Sequence, residues 1–420
     1  MHLPAMQTPS TEDIALLVRL VRQDEQGIRQ HLQVRQRSVD AFLDWALANQ
    51  LSSVVLGALE KAQGSGVFPP HGLEALRRRK GEQRVRSRQL LEELERITAH
   101  FEAAGQEFLL LKGPYLAARF YGDVYAREFV DIDLLIPGRD RARATRILVE
   151  AGYVKMSRTL FGSRLTSRFV HAFDFGNGRS NLDLHWCLSR HPSFRIDEQV
   201  LWAHRQRYEL GARCYDVLSD EHEIVFAVLS LLRDVERGRP KMKNLIDLLR
   251  IVDACEQRCE WTAFFEARRR DGTLGPAVNI LGLCLEVTEA HEFLPRLSAA
   301  LERHGARRVS CRSAAAPLHF APAAYGLGNK LWCARVYDAP MVTSLFWWAV
   351  SLPFRIAVHR LRRGNELRRE PHARRRHGDL RGSGGGATPP DQRLADLTSH
   401  PRCRGAGGGR PPRVGSAPQR

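Results

Sequence analysis

The spacing of apolar residues changes twice along the chain. Over residues 11–104 it is helical, with Leu90, Leu94 and Phe101 among the residues that recur at intervals of three and four. The apolar residues then come in short runs bounded by turns, and the helical spacing returns over 191–300. This pattern predicts an α+β fold, in which a small mixed sheet lies between helical N-terminal and C-terminal regions.

Four short apolar runs predict the strands of the sheet. They cover residues 108–111, 129–136, 169–175 and 181–187. Lys112-Gly113-Pro114 follows the first run and predicts a tight turn into a helix, because proline is favoured at the first helical position. A helix over 141–150 separates the second and third strands. The sequence Gly-Asn-Gly-Arg-Ser at 176–180 predicts a hairpin turn between the last two strands.

Composition and pattern divide the chain into five regions. We expect a helical N-terminal region over 1–105, the α/β core over 106–190, a helical domain over 191–300, a poorly defined helical or apolar segment over 301–364 and a tail over 365–420. Glycine, proline and arginine dominate the tail, and large apolar residues are rare in it. Such a segment cannot bury enough surface to offset its ordering entropy, so we expect the tail to be disordered.

The positive charge is concentrated near the C-terminus. The formal net charge is +17, but residues 361–420 contain 14 arginines and 5 acidic residues, which leaves +8 for residues 1–360. A charge of that size on a body of that length does not require a nucleic-acid partner. The sequence also contains no recognisable helix-turn-helix, zinc finger or aromatic and basic strand platform, so we expect no specific nucleic acid.

The sequence favours a reduced, cytoplasmic protein without a transmembrane span. The eight cysteines are scattered, and the closest pair, Cys255 and Cys259, has no second pair to complete a zinc site. The first ten residues lack the basic start and apolar stretch of a signal peptide. The apolar segment 341–354 is shorter than the roughly 20 residues of a spanning helix. It predicts a buried or partner-facing segment, with peripheral contact to a membrane surface as the alternative.

Two aspartates stand two residues apart in the second predicted strand. Side chains at this spacing share a face, so Asp131 and Asp133 point to one side while Ile132 and Leu134 point to the other. Two like charges this close are costly unless a cation compensates them, and carboxylate oxygens are typical ligands of Mg²⁺. An edge strand with two hydrated aspartates explains the pattern equally well.

The fourth predicted strand repeats the alternation. Asp183 and His185 lie on one face, and Leu182, Leu184 and Trp186 lie on the other. Three carboxylates on neighbouring strands can hold two divalent ions, an arrangement that serves phosphoryl and nucleotidyl transfer. For His185 we favour a hydrogen bond to Asp183 over a role as a catalytic acid or base.

The Lys112-Gly113 turn predicts an anion site between a buried strand and a helix. Glycine permits close backbone approach, the first amide groups of a helix have no partner within it, and Lys112 adds a positive charge. A Lys-Gly turn is common by itself. It becomes informative through the order along the chain, in which a phosphate-binding turn precedes the paired aspartates and then a single aspartate.

This order resembles the nucleotidyltransferase superfamily of the DNA polymerase beta type, whose pattern is a Gly-Ser turn, a D-x-D strand and a third carboxylate on a later strand. More closely, residues 110–123 (LLKGPYLAARFYGD), 126–137 (AREFVDIDLLIP) and 182–186 (LDLHW) resemble the bacterial uncharacterised nucleotidyltransferase family. The resemblance covers roughly residues 85–255. A Lys-Gly pair stands where most of the superfamily has Gly-Ser, and the closer family also carries Lys-Gly.

The resemblance implies a metal-dependent reaction. Asp131 and Asp133 would be metal ligands, and Asp183 would complete the metal site and help to deprotonate the acceptor. The implied cofactor is Mg²⁺, with Mn²⁺ as an alternative. The implied reaction moves a nucleoside monophosphate from a nucleoside triphosphate to an acceptor hydroxyl and releases pyrophosphate. The acceptor is a small molecule, a sugar or a protein.

Two basic positions would contact the nucleotide by the same resemblance. Arg127 matches an arginine of the family pattern and would meet phosphate, with an ordinary surface ion pair to Glu128 or Asp123 as an equal alternative. Lys243, together with Lys241, would reach the triphosphate from the helical domain, with a solvated helix start as the alternative.

Two other functions fit part of the pattern. Many sugar transferases use D-x-D to hold a metal bound to a nucleotide diphosphate, but this function leaves the Lys-Gly turn and Asp183 without a role. A catalytically inactive nucleotide-binding scaffold would keep the fold, with its basic tail on an anionic polymer or a membrane. All three aspartates are present, which favours an active enzyme.

Overall fold

The structure is a computed structural model, and it describes residues 11–22, 26, 39–61, 70–156, 163–237, 241–305 and 327–351. The predicted tail at 365–420 lies outside the described residues, so its disorder stays a prediction.

Four helices form the described N-terminal region. They are α1 (Thr11–Arg22), α2 (Val39–Ala48), α3 (Ser52–Lys61) and α4 (Pro70–Ala103). The long α4 buries one apolar stripe, in which Leu90, Leu94 and Phe101 are each at most 4% exposed. Both α2 and α3 pack against α4, and α1 packs against α3. The helical spacing in this part of the sequence therefore predicts the elements correctly.

Seven strands form one mixed sheet. The described residues between 109 and 217 form, in chain order, β1 (Leu109–Leu111), α5 (Gly113–Tyr121), β2 (Ile132–Leu135), α6 (Arg141–Glu150), β3 (Val154–Lys155), α7 (Ser163–Thr166), β4 (Ala172–Gly176), β5 (Asn181–His185), α8 (Glu198–Ala203), β6 (Gln206–Leu210) and β7 (Arg213–Val217). The spatial order of the strands is β3-β4-β5-β2-β1-β7-β6. The β2–β5 and β1–β7 pairs are parallel, and the other neighbours are antiparallel.

The strand that carries Asp133 lies inside the sheet. β2 pairs with β1 on one side and with β5 on the other, and all four of its residues are buried. The edge-strand alternative is therefore wrong. Both faces of β2 are buried, and Asp133 itself is only 7% exposed. The alternation of polar and apolar residues in this strand therefore does not mark an exposed face.

Two strands replace part of the helical region that the sequence predicts over 191–300. β6 and β7 form an antiparallel hairpin, and β7 extends the sheet by pairing with β1 through Leu110 and Val217. The sequence of β7 is polar at Arg213, Cys214 and Asp216, so its pattern does not predict a strand. The strand is recognised only from its pairing with β1. The sheet consequently continues beyond residue 190, where we expect the core to end.

After β7, the described part of the chain is mainly helical. The helices are α9 (Asp220–Glu236), α10 (Met242–Cys255), α11 (Trp261–Asp271), α12 (Leu274–Thr288), α13 (Pro295–Arg303) and α14 (Leu327–Val336), followed by a helical segment at 341–351. Ser219 caps α9 by accepting a hydrogen bond from the His222 amide. α9 packs along α10, and α10 contacts α5 beside the sheet. Within the described ranges, no helix combines the length and the apolar character that a membrane crossing requires.

Candidate active site

The parallel pairing of β2 and β5 places two carboxylates side by side. Asp133 is in register with Asp183 on the neighbouring strand. His185 stands two residues after Asp183, and its Nε2 lies 3.0 Å from Asp133 Oδ1. The donor atoms of these three residues all lie within 4.8 Å of one another. As we expect from the sequence, the structure thus places Asp183 next to Asp133.

Asp131 occupies a separate position at the entrance to β2. It is half-buried and is not a member of the group of donor atoms around Asp133. Its negative charge raises the pKa of Lys243, although that pKa is lowered overall. A Cβ atom on Gly113 would lie 3.7 Å from the Asp131 carbonyl oxygen, so the Lys-Gly turn packs close to this segment. The structure therefore places Asp133 in register with Asp183 and Asp131 one residue before the strand, and the role of Asp131 as a metal ligand stays a prediction.

His185 contacts Asp133 rather than Asp183, the partner that the sequence favours. The imidazole reaches across to the neighbouring strand, where Asp133 lies beside Asp183. Burial lowers the pKa of His185, and the Asp133 charge only partly offsets that effect. A neutral ring that donates from Nε2 to the carboxylate leaves Nδ1 as an acceptor, and Nδ1 is buried without a hydrogen-bond partner among the described residues.

Asp133 is held in its ionised form. Burial would raise the pKa of this carboxyl group, but the hydrogen bond from His185 and the positive charge of Lys112 together lower it. The two carboxylates, with His185 to orient Asp133, suit a divalent ion, because carboxylate oxygens are the ligands that Mg²⁺ prefers. The residues present therefore fit a divalent metal.

The Lys112-Gly113 turn has an unusual backbone. Lys112 has φ 38°, a left-handed value that costs a non-glycine residue roughly 1–3 kcal/mol, and Gly113 has φ 54°. The Lys112 ammonium lies 4.6 Å from the centre of the Phe226 ring. Burial lowers the pKa of Lys112, whereas the Asp133 charge acts in the opposite direction. The turn therefore holds a cation next to Asp133 at the N-terminus of α5.

Arg127 lies in a buried ion pair that the sequence does not predict. Its Nε and Nη2 donate to the two carboxylate oxygens of Asp247 on α10, over 2.7 and 2.6 Å. Tyr121 also donates to Asp247, over 2.8 Å. Burial opposes the charge on Arg127, but Asp247 outweighs burial and raises the pKa of the guanidinium. The partner is thus neither Glu128 nor Asp123, and the ion pair fastens the segment before β2 to the helical region.

Lys243 lies in the same buried contact between the segment before β2 and α10. Its Nζ donates to the backbone carbonyl oxygen of Glu128 over 3.1 Å, and the residue is only 8% exposed. Burial lowers the pKa of Lys243 to about 7. The solvated helix start is therefore wrong as a description of this residue.

Two basic residues that the sequence does not single out, His171 and Arg233, are connected by contacts to His185. His171 directly precedes β4, and its ring centre lies 5.6 Å from that of His185. Arg233, in the last turn of α9, contacts His171 Nε2 through Nη1. No sequence signal marks either residue, because His171 stands at a strand end and Arg233 follows an apolar helical stretch.

Comparison with known families assigns the class of the protein. A family model described as "Uncharacterised nucleotidyltransferase" matches residues 35–289, which is more than half of the chain. The protein is therefore a transferase of the nucleotidyltransferase class, and its substrate is a nucleotide. The chain belongs to the uncharacterised nucleotidyltransferase family, and the resemblance that its three sequence segments suggest is confirmed.

The remaining comparisons add little. No curated protein matches the chain. Among solved structures, the chain is similar to the antibiotic-resistance factor ANT(2'')-Ia, whose solution structure is described as revealing substrate-regulated conformation dynamics. The sequence identity is 14% and the TM-score is 0.31, over 53% of this chain and 95% of that chain. A TM-score this low carries no argument about substrate or mechanism.

Proposed function

We propose that the protein uses Mg²⁺ to transfer a nucleoside monophosphate from a nucleoside triphosphate to an acceptor hydroxyl, with release of pyrophosphate. The observation that carries this proposal is the register of Asp133 and Asp183, whose donor atoms lie within 4.8 Å of each other and of His185. The Lys112-Gly113 turn stands next to this group and begins α5.

Three aspartates would hold the metal. Asp133 and Asp183 offer oxygen ligands at one position, and Asp131, at the entrance to the same strand, offers one to a second position. Mg²⁺ bound there would neutralise charge on the phosphates, and Mn²⁺ accepts the same oxygen ligands. His185 would orient Asp133 through the 3.0 Å hydrogen bond and would keep it ionised.

The side chains perform the rest of the reaction. The amide groups at the start of α5 and the Lys112 ammonium bind phosphate oxygens, since a helix N-terminus favours anions. Asp183 accepts the proton of the acceptor hydroxyl. The acceptor oxygen then bonds to the α-phosphorus, the bond from that phosphorus to the bridging oxygen breaks, and pyrophosphate leaves with the electron pair. The acceptor is a small molecule, a sugar or a protein side chain.

We assign Arg127 and Lys243 a positioning role in place of the predicted phosphate contacts. The donors that Arg127 directs at Asp247 are occupied, and Lys243 donates to the Glu128 backbone. Both contacts hold the segment that leads to Asp131. An Arg127→Met variant should therefore lose stability as well as activity, because it removes the ion-pair partner of the buried Asp247 carboxylate.

The central test replaces the paired aspartates. We expect the Asp131→Asn, Asp133→Asn double variant to lose at least about 100-fold in turnover, because it removes charge that stabilises the transition state. Pyrophosphate release from each of the four nucleoside triphosphates, with pooled acceptors and Mg²⁺, measures this loss. The matched control is Asp253→Asn, on the exposed side of α10. Circular dichroism establishes that all variants are folded.

Three outcomes would contradict the proposal. Unchanged turnover in the double variant would refute the metal site. Mg²⁺-dependent binding of nucleotide sugars in preference to nucleoside triphosphates would favour the sugar transferase. Tight triphosphate binding without product from any acceptor pool would favour the inactive scaffold.

A further inference from the structure

The cations around the candidate active site differ in what neutralises their charge. Arg127 is paired with Asp247, and Arg119 with Asp220. Arg233 instead donates to the Leu188 carbonyl oxygen over 3.5 Å and to Ser230 Oγ over 2.9 Å, besides its contact with His171. Among the described residues, no carboxylate oxygen lies within 4.0 Å of the Arg233 guanidinium. Because Arg233 is half-buried and has no carboxylate partner among these residues, its charge is available to an anion that binds from outside.

A short chain of contacts connects Arg233 to the carboxylates. The guanidinium touches the His171 ring, that ring lies 5.6 Å from the His185 ring, and His185 is hydrogen-bonded to Asp133. Burial and the positive charge of Arg233 hold the pKa of His171 well below its usual range, so the His171 ring is neutral and accepts from the guanidinium. Arg233 is thus connected to Asp133 through the rings of His171 and His185.

Lys112 and Arg233 face the same region. Phe226, against which the Lys112 ammonium lies, and Arg233 are both on α9, seven residues apart and therefore on one side of the helix. The charge of Asp133 acts on both cations, and the charge of Arg233 acts on Lys112. The two cations consequently both lie within range of the Asp133 charge, and neither is in an ion pair among the described residues.

We infer that Arg233, together with Lys112, binds the terminal β- and γ-phosphates of the nucleotide and retains them as pyrophosphate after transfer. This inference rests on the proposed function, in which the α-phosphate reacts at the aspartates. Because the contacts of Arg233 reach Asp133 through His171 and His185, we place Arg233 at the end of the triphosphate rather than at the reacting phosphorus. The planar guanidinium can bind two phosphate oxygens at once, which a lysine ammonium at the same place does not reproduce.

The test measures binding of inorganic pyrophosphate and of nucleotides to the full-length chain by calorimetry in Mg²⁺. Pyrophosphate carries no base, so the unknown base preference does not affect the result. We expect Arg233→Ala to weaken pyrophosphate and nucleoside triphosphate binding at least tenfold, while binding of the matching nucleoside monophosphate changes less than twofold. Arg233→Lys should recover part of the affinity, because it keeps the charge and loses the paired donors.

A matched control removes another arginine of the helical region. Arg258 pairs with Asp220 and is 57% exposed, so Arg258→Ala should leave pyrophosphate affinity unchanged. Thermal unfolding without ligand shows whether each variant is folded, and Arg233→Lys serves as the test if the alanine variant is not. In steady-state kinetics, Arg233→Lys should raise KM for the triphosphate more than it lowers kcat.

The outcomes separate this inference from the proposed function. If the wild-type chain binds triphosphates and Arg233→Ala or Arg233→Lys binds pyrophosphate equally well, the inference is overturned while the proposed function stands. If monophosphate and triphosphate binding fall together, Arg233 has only a structural role and the inference is again overturned. If the wild-type chain binds neither triphosphates nor pyrophosphate, both proposals fail.

Discussion

Burial sets the charge of individual side chains in this protein, and Glu223 on α9 is a case outside the metal group. The residue is 1% exposed, and neither of its carboxylate oxygens has a hydrogen-bond partner among the described residues. Burial raises the pKa of Glu223 to about 7. The positive charges of Arg119 and Lys112 oppose this rise, and the negative charges of Asp220 and Asp247 add to it. At neutral pH Glu223 is therefore partly protonated.

This residue should make stability depend on pH. From about pH 4.5, the usual pKa of a glutamate, to about 7, the folded state keeps a proton that the unfolded state loses. The free energy of unfolding therefore falls as the pH rises through this window. We expect Glu223→Gln to remove up to about 3 kcal/mol of that fall, since each unit of pKa shift corresponds to about 1.4 kcal/mol.

Urea unfolding at several pH values between 4 and 8 measures the effect as the difference between variant and wild type. Glu92→Gln, at an exposed position on α4, is the control and should follow the wild type. Parallel curves for Glu223→Gln and the wild type would show that the carboxyl group titrates normally.

At the scale of elements, close backbone contacts fix how the helices meet the rest of the fold. Gly272 ends α11 with φ 72°, and a Cβ atom there would overlap the Ser193 carbonyl oxygen in the connection before α8. Arg195 also donates its amide to the Asp271 carbonyl oxygen over 2.8 Å. The end of α11 and this connection thus pack backbone against backbone.

We expect Gly272→Ala to destabilise the protein by at least about 2 kcal/mol, because it adds left-handed strain of roughly 1–2 kcal/mol and a steric overlap. Gly57, inside α3 with no atom within 4 Å of the position of an added Cβ, is the matched control. Gly57→Ala should stabilise the protein by about 0.5–1 kcal/mol, since alanine loses less entropy in a helix. Urea unfolding at 25 °C distinguishes the two, and equal stabilities would contradict the packing described.

The elements also show how far the sequence predicts this molecule. Regular apolar spacing identifies α4 and α6, and apolar runs with turn residues identify β1, β2, β4 and β5 within a few residues. The hairpin of β6 and β7 escapes prediction because its stability comes from pairing with β1, a strand roughly 100 residues earlier. Local pattern cannot reveal a contact of that separation.

The residues of the candidate site are likewise only partly predictable from the sequence. Asp133 and Asp183 are predictable because strand alternation and chain order mark them. The partners of His185, Arg127 and Arg233 are not predictable, because each depends on the register or packing of elements far apart in sequence.

At the scale of the whole molecule, residues of the sheet and of the helical region form the candidate site. The carboxylates come from β2 and β5, the turn from the start of α5, and Arg233 from α9. A ligand that binds only the folded arrangement should stabilise all of these elements together. We expect Mg²⁺ with the preferred nucleoside triphosphate, at 100 times its Kd, to raise the free energy of unfolding by about 2.7 kcal/mol.

Differential scanning calorimetry tests this prediction. The ligand should raise the temperature of the unfolding transition in which the sheet and the helices unfold together. The Asp133→Asn, Asp183→Asn variant should show no shift with the same ligand, and the shift should also vanish when EDTA removes the metal. A ligand-induced shift that persists in this double variant would place nucleotide binding elsewhere.

A cut between β7 and α9 would divide the candidate site between two fragments. Glu223, Phe226, Ser230 and Arg233 lie along one side of that helix, and this side borders the Lys-Gly turn and the histidines next to the sheet. A fragment that ends at β7 would contain Asp131, Asp133 and Asp183 and would lack Arg233. The complementary fragment would keep the arginine and lack the acids. Neither piece would contain all the residues of the proposed site, so we expect activity to return only when both pieces are combined and associate.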